Sequence, residues 1–537
     1  MPTAAELFRQ GRVDEIWKKY CGFLDLSIEE FMEIQKRLLM EQIDLLADCE
    51  LGRKLLGDRI PTSVDEFREL IPLTTYDDYL PYLDEKREDV LPEKPDYWIR
   101  TSGRSGPGQF KWAPYPQRFL DAGTEIAFAS TIFATCQGRG DFRLEENDRF
   151  LYAMAPPPYI SGMLPYGLLR EFPFKFLPSV KEAEEMSFQD RIATGFELSF
   201  KEGLDVFFGI GSVLVRMGDQ FSEASGNVKL SSTLLHPKSL FRLLKGLIKS
   251  KLAGRPMIPA DLWDVKGLLS GGTDTEVYRE KIKYYWGKDP VIMYGGTEIN
   301  FIATQTWDRE GMTFVPGTGF FEFIPEEEHV KSKADPDYQP YTLLLDEVEP
   351  EQNYELVVTN LRGGTFVRYR IGDVIRITSL RNEELNIDIP QMKFWARGDD
   401  IIDLVGFSRL TEPIIWKAIE KADLDCKEWT ATKEIVDQEP FLHLYLELAP
   451  DHHDLESAKR IIHKSLKDVD QSYREIEEIL DRKPLRITIL KEGTFQRYLN
   501  DREAAGADLA HLKPPHMKPS ETVLERLLEF NGKGSHR

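Results

Sequence analysis

Thr101-Ser102-Gly103-Arg104-Ser105-Gly106-Pro107-Gly108-Gln109-Phe110-Lys111 is a run of hydroxyls and glycines that closes on a lysine. Small side chains let backbone N–H groups approach an anion, the hydroxyls add donors, and the lysine adds a point charge. The stretch therefore reads as a loop that cradles phosphates. It is not a Walker loop, because the glycine-to-lysine spacing differs and no Lys-Ser/Thr pair ends it. By itself the same composition serves equally well as a plain surface turn. What accompanies it decides between the two.

Two stretches accompany it. Val291-Ile292-Met293 runs into Tyr294-Gly295-Gly296-Thr297-Glu298. A short β-rich run that breaks at Gly-Gly predicts a buried strand ending in a tight turn. Thr297 and Glu298 then stand at the strand exit, where open α/β sheets bind ligands. Arg368-Tyr369-Arg370-Ile371-Gly372-Asp373 predicts a strand with outward-facing arginines that ends in Gly-Asp. Its carboxylate could hydrogen-bond a ribose diol. Plainer roles exist for both acids, Glu298 as the cap of a following helix and Asp373 as a turn aspartate.

In this order the three stretches resemble the adenylate-forming enzyme superfamily. Its members activate a carboxylic acid with ATP to an acyl-AMP and pass the acyl group to a second nucleophile. Arg397-Gly398-Asp399-Asp400 is similar to the hinge between the superfamily's two domains. Lys491-Glu492-Gly493-Thr494-Phe495, Gly506-Ala507 and Leu512-Lys513-Pro514-Pro515 resemble the end of the acyl-acid amido synthetases, which conjugate auxin, jasmonate or benzoates to amino acids. Ile71-Pro72-Leu73-Thr74-Thr75-Tyr76-Asp77-Asp78-Tyr79 fits that family and the phenylacetate–CoA ligases alike. The chain also departs from the pattern. Arg104 replaces a small hydroxyl residue, and Lys111 falls late, with Pro107 and Gly108 inside the loop. The Gly295-Gly296 pair stands where plant members more often carry Ser, and Asp403-Leu404-Val405-Gly406-Phe407 is closer to the aryl-CoA ligases.

The resemblance implies ATP and Mg2+ as cofactors, and it implies roles by position. Thr101, Ser102, Gly103, Ser105, Gly106 and Lys111 would hold the β- and γ-phosphates. Thr297 would contact the α-phosphate, and Glu298 would ligate Mg2+, a hard ion that prefers oxygen. Tyr294, leading into Gly295 and Gly296, would stack on or flank adenine, with Gly271, Gly272 and Thr273 packed on the base. Asp373 would bind the ribose hydroxyls. Arg397 would contact nucleotide beside a hinge at Asp399, and Lys513 would be a mobile lysine that enters for adenylation. Lys513, Thr297 and Arg397 are thus the catalytic candidates. The plainer reading of Lys513 is a surface lysine beside two prolines.

A chain of 537 residues exceeds one ordinary core. Residues 1 to about 95 read as helices, as in Ile28 to Leu39 with its helical apolar spacing. Strand-like runs then alternate with helical stretches, which indicates an α/β layer fold. Gly317 to Ile324 and Phe366 to Ile377 look antiparallel, so a mixed sheet is expected there. From about 396 the texture turns α+β. Phe441 to Leu448 alternates like a half-exposed strand, Leu455 to Leu466 is amphipathic, and Leu485 to Leu490 is another strand. The expected architecture is α/β. Residues 1–395 form a large multi-layer adenylation domain with mixed sheets, and residues 396–537 form a small mobile α+β domain.

The hydrophobic and charged fractions, 41% and 30%, suit a soluble globular protein. The 69 basic and 91 acidic residues give a net charge of −22, which argues against nonspecific binding of nucleic acid or anionic membrane. The expected partners are a small-molecule carboxylic acid and an amine or CoA, with no nucleic acid and no membrane. Four scattered cysteines, Cys21, Cys49, Cys136 and Cys426, suit a reducing compartment and exclude a cysteine zinc site. The N-terminus shows no apolar leader, and no stretch approaches ~20 unbroken apolar residues, so a cytoplasmic location is expected. Phe150 to Leu169, rich in proline, is expected to be a folded loop against a pocket. Within it, Met154 to Gly162 would make a rigid apolar wall for the acid, or equally a structural loop over the core. The resemblance implies first an ATP-dependent ligase joining an acyl acid to an amine, that of an amino acid, through acyl-AMP. An acyl- or aryl-CoA ligase is the alternative, and a nucleotide-binding protein without turnover is a third.

Overall fold

The computed structural model describes residues 2–57, 59–106, 109–225, 237–271, 275–335, 337–398, 401–405, 408–448, 454–504 and 516–532. The chain divides into two compact units, residues 1–398 and residues 399–537.

The first unit opens with helices. The longest, Ile28–Ala47, starts at a capping box in which Ser27 and Glu30 satisfy each other's backbone N–H groups. Its apolar side packs inward, and two buried glutamines on it reach distant carbonyls. Gln35 Nε2 donates to Gly319 O, and Gln42 Nε2 donates to Gly364 O at 2.8 Å. Among the described residues thirteen strands follow: β1 (Tyr97–Gly106), β2 (Gln109–Tyr115), β3 (Arg149–Tyr152), β4 (Lys175–Leu177), β5 (Val206–Ile210), β6 (Gly267–Gly271), β7 (Val291–Gly296), β8 (Asn300–Gln305), β9 (Met312–Phe314), β10 (Gly319–Pro325), β11 (Asn353–Asn360), β12 (Tyr369–Ser379) and β13 (Gln391–Arg397).

Strands β3 to β13 form one mixed sheet in the order β10-β11-β12-β13-β9-β8-β7-β6-β5-β3-β4. From β4 to β7 the strands are parallel, and from β7 to β10 they are antiparallel. The parallel half is sequenced as near-continuous apolar runs, as a sheet covered on both faces requires. One cover is the buried helix Gln117–Thr135, which packs on β6, β7 and β8. Gly123 on that helix lies against Asn300, whose Nδ2 donates to Phe119 O at 2.6 Å.

Several expectations need correction. The hydroxyl-glycine stretch is not a free loop: it forms most of the antiparallel hairpin β1/β2, with register irregularities between Arg100 and Gly106. Glycine and serine carry no period, so nothing local announces a strand. Arg368 and Arg370 do not face outward. Arg368 Nη2 pairs with Glu322 at 2.8 Å and Arg370 Nη2 with Glu355 at 2.6 Å, both acids buried. Gly372-Asp373 does not end a strand, because β12 runs on to Ser379 through Gly372 at φ +78°. Phe150 to Leu169 is not a single loop: after β3 only residues 153–159 are irregular before the helix Ile160–Glu171, which contains Pro165.

The second unit holds the hairpin β14 (Ile401–Leu404) and β15 (Ser408–Thr411) and a sheet of β16 (Cys426–Val436), β17 (Glu439–Leu448) and β18 (Leu485–Leu490). The β16–β17 pair is antiparallel and β17–β18 is parallel. Gly493 N and Phe495 N donate to the two oxygens of Glu447 on β17 at 2.8 and 2.9 Å, fixing the start of the helix Thr494–Ala504. Among the described residues no helix is long and apolar enough to cross a membrane.

Candidate active site

Parallel strands all present their carboxyl ends at one edge, and that edge is where an α/β sheet receives ligands. Here it gathers the residues that follow Tyr152 on β3, the end of β6 at Gly271 and the end of β7 at Gly296. The hairpin β1/β2 joins them: Arg100 N donates to Pro158 O at 2.9 Å, and the Arg100 guanidinium lies 4.5 Å from the Tyr159 ring. The proline-rich stretch and the glycine-rich hairpin are thus tied together. Arg191, itself buried, donates to Met154 O at 2.5 Å and holds the same stretch from below.

The turn between β7 and β8 carries Thr297 and Glu298. Gly295 has no alternative residue, because a Cβ there would collide with Asn300 O and come within 2.7 Å of Phe301 Cα. Gly296 is less constrained, with Ile371 Cδ1 at 3.1 Å as the nearest atom a Cβ would meet. Tyr115 OH donates to Thr297 O at 2.7 Å, and Asn360 Nδ2 donates to Glu298 O at 3.0 Å. The backbone of the turn is therefore held from β2 and from β11.

The Glu298 carboxylate is buried among tyrosines. Burial, and then the negative charge of Glu298, pushes the Tyr115 and Tyr369 hydroxyls well above their ordinary range. Tyr76 is raised first by burial, with Glu298 adding to the rise and the Trp112 backbone opposing it. Tyr76 OH accepts from Trp112 N at 2.7 Å, and Lys111 Nζ sits 4.9 Å from the Tyr76 ring centre. Thr74 N donates to Arg368 O at 2.9 Å and Arg370 N to Thr74 O at 2.9 Å. The segment Ile71 to Tyr79 thus links β2 to the start of β12.

Asp373 on β12 and Arg397 on β13 are cross-strand neighbours, and their side chains pair in a buried contact. Tyr294 OH donates to the other Asp373 oxygen at 2.7 Å. A carboxylate has about four lone-pair sites, so two remain for a diol. Thr101 is buried on β1. Ser102, Gly103, Ser105 and Gly106 belong to the same strand, but their side chains lie outside the described residues. Gly272, Thr273, Asp399 and Lys513 lie outside them altogether. Among the described residues no three His, Cys, Asp or Glu side chains gather as a metal cage. Glu298 alone still fits Mg2+, which commonly takes one or two carboxylates and completes its shell with waters and phosphate oxygens.

Reading the sequence missed Arg100, Tyr76, Tyr115 and Asn360 as supports of the site. Tyr76 stands inside the stretch Ile71 to Tyr79, and Tyr115 closes the hairpin. Asn360 gave no local signal.

Three family matches follow the chain in order. The GH3 family N-terminal domain matches residues 21–152, its central domain residues 312–397 and its C-terminal domain residues 414–522, together more than half of the chain. The chain is 29% identical to the jasmonoyl–L-amino acid synthetase GH3.5 of Oryza sativa subsp. japonica, over 51% of this chain and 49% of the relative. It thus spans about half the length of that relative. It is 23% identical to the 4-substituted benzoates–glutamate ligase GH3.12 of Arabidopsis thaliana over 96% of this chain and 97% of the relative. In fold it is similar to the AtGH3.15 acyl acid amido synthetase, with a TM-score of 0.52 and 18% identity over 94% of this chain and 95% of the other.

Proposed function

Since the chain belongs to the GH3 family, we propose that it is an ATP-dependent acyl-acid amido synthetase. A carboxylate oxygen of the acid attacks the α-phosphorus of ATP, the bond to pyrophosphate breaks, and acyl-AMP forms. An amine nitrogen, on this reading that of an amino acid, then attacks the acyl carbon, AMP leaves, and the nitrogen loses a proton. The observation that carries this reading is the convergence at one sheet edge. Glu298, the Tyr294–Asp373–Arg397 cluster and Lys111 on its hairpin come from segments far apart in sequence.

The residues divide the work by chemistry. The two anions repel until preorganised donors and cations screen them. Lys111 and the β1/β2 backbone would bind the β- and γ-phosphates. Thr297, its backbone fixed by Tyr115, would donate to the α-phosphate. Asp373 would hold the ribose diol, with Tyr294 and Arg397 orienting its oxygens. Glu298 would hold Mg2+, which when bound supplies charge neutralisation on the phosphates. Lys513 would enter for adenylation and Asp399 would serve as the hinge. The carboxyl edge after β3, with Met154 to Gly162, offers an apolar wall to the acid.

The test is pyrophosphate release by the full chain with ATP, Mg2+ and a panel of aryl, indole and fatty acids. Parallel samples contain an amino-acid mixture, CoA or neither, and products are weighed by mass spectrometry. An acyl–amino acid product is expected. A thioester formed in its place would overturn the amide assignment, and no pyrophosphate with any acid would overturn adenylation.

A further inference from the structure

The 17-residue helix Pro237–Ala253 packs inside out. Its buried residues are Ser239, Gly246 and Ser250, which are small. Ser239 Oγ and Arg242 Nη1 donate to Phe200 O at 3.1 and 2.7 Å, at the end of the helix Phe188–Glu202. A Cβ on Gly246 would come within 2.6 Å of Met257 Sδ, so the helix lies close on its support. Apart from the half-buried Leu243, the large apolar residues point the other way. Leu240, Leu244, Ile248 and Leu252 recur at intervals of four, with Phe241 and Leu247 beside them, and form one stripe. All six are exposed, Phe241 at 70% and Leu252 at 84%. An apolar stripe of this extent on a folded surface marks an interaction site.

The charge on the helix says what meets it. Lys238, Arg242, Lys245, Lys249 and Lys251 stand on it with no acidic residue, in a chain whose net charge is −22. We propose that this helix docks the protein on an anionic lipid surface. It lies in the plane of the interface, its stripe entering the headgroup–acyl boundary and its lysines reaching lipid phosphates. Side chains as exposed as Phe241 and Leu252 project and do not line a groove, which suits a fluid bilayer. A symmetric pairing with a second copy would set this helix against itself, cation against cation. The acidic remainder of the chain does not forbid docking, because at physiological salt charges beyond ~8 Å are largely screened. The helix is too polar to span the bilayer, so it rests on the surface.

The experiment is flotation of the full chain with vesicles of phosphatidylcholine alone or with phosphatidylglycerol. Flotation is expected only with the anionic vesicles, weakening as salt rises. Lys245→Glu with Lys249→Glu should reduce binding by more than about tenfold, and Phe241→Gln with Leu252→Gln should abolish it. Both variants should leave pyrophosphate release unchanged. Phe241→Trp should show a blue shift of its emission on anionic vesicles. Absence of flotation at low salt, or equal flotation by the variants, would overturn the proposal. So would a wild-type dimer in solution that Phe241→Gln with Leu252→Gln dissociates, since the occupant would then be a second copy.

Discussion

The two adjacent glycines at the end of β7 answer to different constraints. At Gly295 the obstacle to a Cβ is backbone, which cannot step aside, whereas at Gly296 it is the tip of an isoleucine. Gly295→Ala should therefore lower stability by about 1–3 kcal/mol and remove activity, and Gly296→Ser should retain both; thermal unfolding and pyrophosphate release together check this. The Asp373 carboxylate is held by Arg397 on one oxygen and by Tyr294 on the other. Asp373→Ala breaks a buried ion pair, so a stability loss of about 3–5 kcal/mol is expected, along with loss of adenylation. Tyr294→Phe removes one hydrogen bond, worth about 1 kcal/mol, and should raise the KM for ATP while sparing the fold. Calorimetry and steady-state kinetics separate the two. If Tyr294→Phe left KM unchanged, its hydroxyl would have no part in presenting Asp373.

At the scale of elements, a titratable clamp joins a late segment of the small unit to β16. Residues His516 to Lys518 pair with Ala431 on the edge of β16, and the His516 ring stacks 4.4 Å from Trp429. Hydrogen bonding to Glu428 first, and then to Glu412, raises the His516 pKa above its ordinary value, against the effect of burial. A histidine raised on folding contributes stability fully below its unfolded pKa, about 6.5, and loses it as pH rises through the folded value. His516→Gln should therefore destabilise most near pH 6 and least at alkaline pH, read as the difference in denaturant midpoint across pH. His443 and His463, both lowered chiefly by burial, act with the opposite sign and remain in the variant.

Elements also show why some of the fold was legible in sequence and some was not. β7 was readable because Val291 to Met293 is a dense apolar run and Gly-Gly ends it. The helix Ile28–Ala47 was readable from its period. The hairpin β1/β2 was not, because glycine and serine display neither period nor propensity. Arg368 and Arg370 read as outward-facing for a different reason: their acids, Glu322 on β10 and Glu355 on β11, become partners only once the sheet is assembled. Of the candidate site, Tyr294, Glu298, Asp373 and Arg397 stand in motifs legible in the sequence, whereas the tyrosines and Asn360 that hold them act through contacts across the sheet.

For the molecule as a whole, the proposed function gives Lys513 a part in adenylation and none in transfer. Lys513→Ala should impair acyl-AMP formation far more than transfer from preformed acyl-AMP, and rapid-quench assays of each half-reaction measure the ratio. Equal loss in both would remove the swing from the mechanism. The buried glutamines of the early helix carry another consequence. Gln42 is bonded to Gly364, 322 residues further along the chain. At 5–20 residues per second, a ribosome needs roughly 15–60 s to deliver that carbonyl. Until then the buried face of this helix is incompletely covered, and apolar surface left open in that way is what chaperones bind.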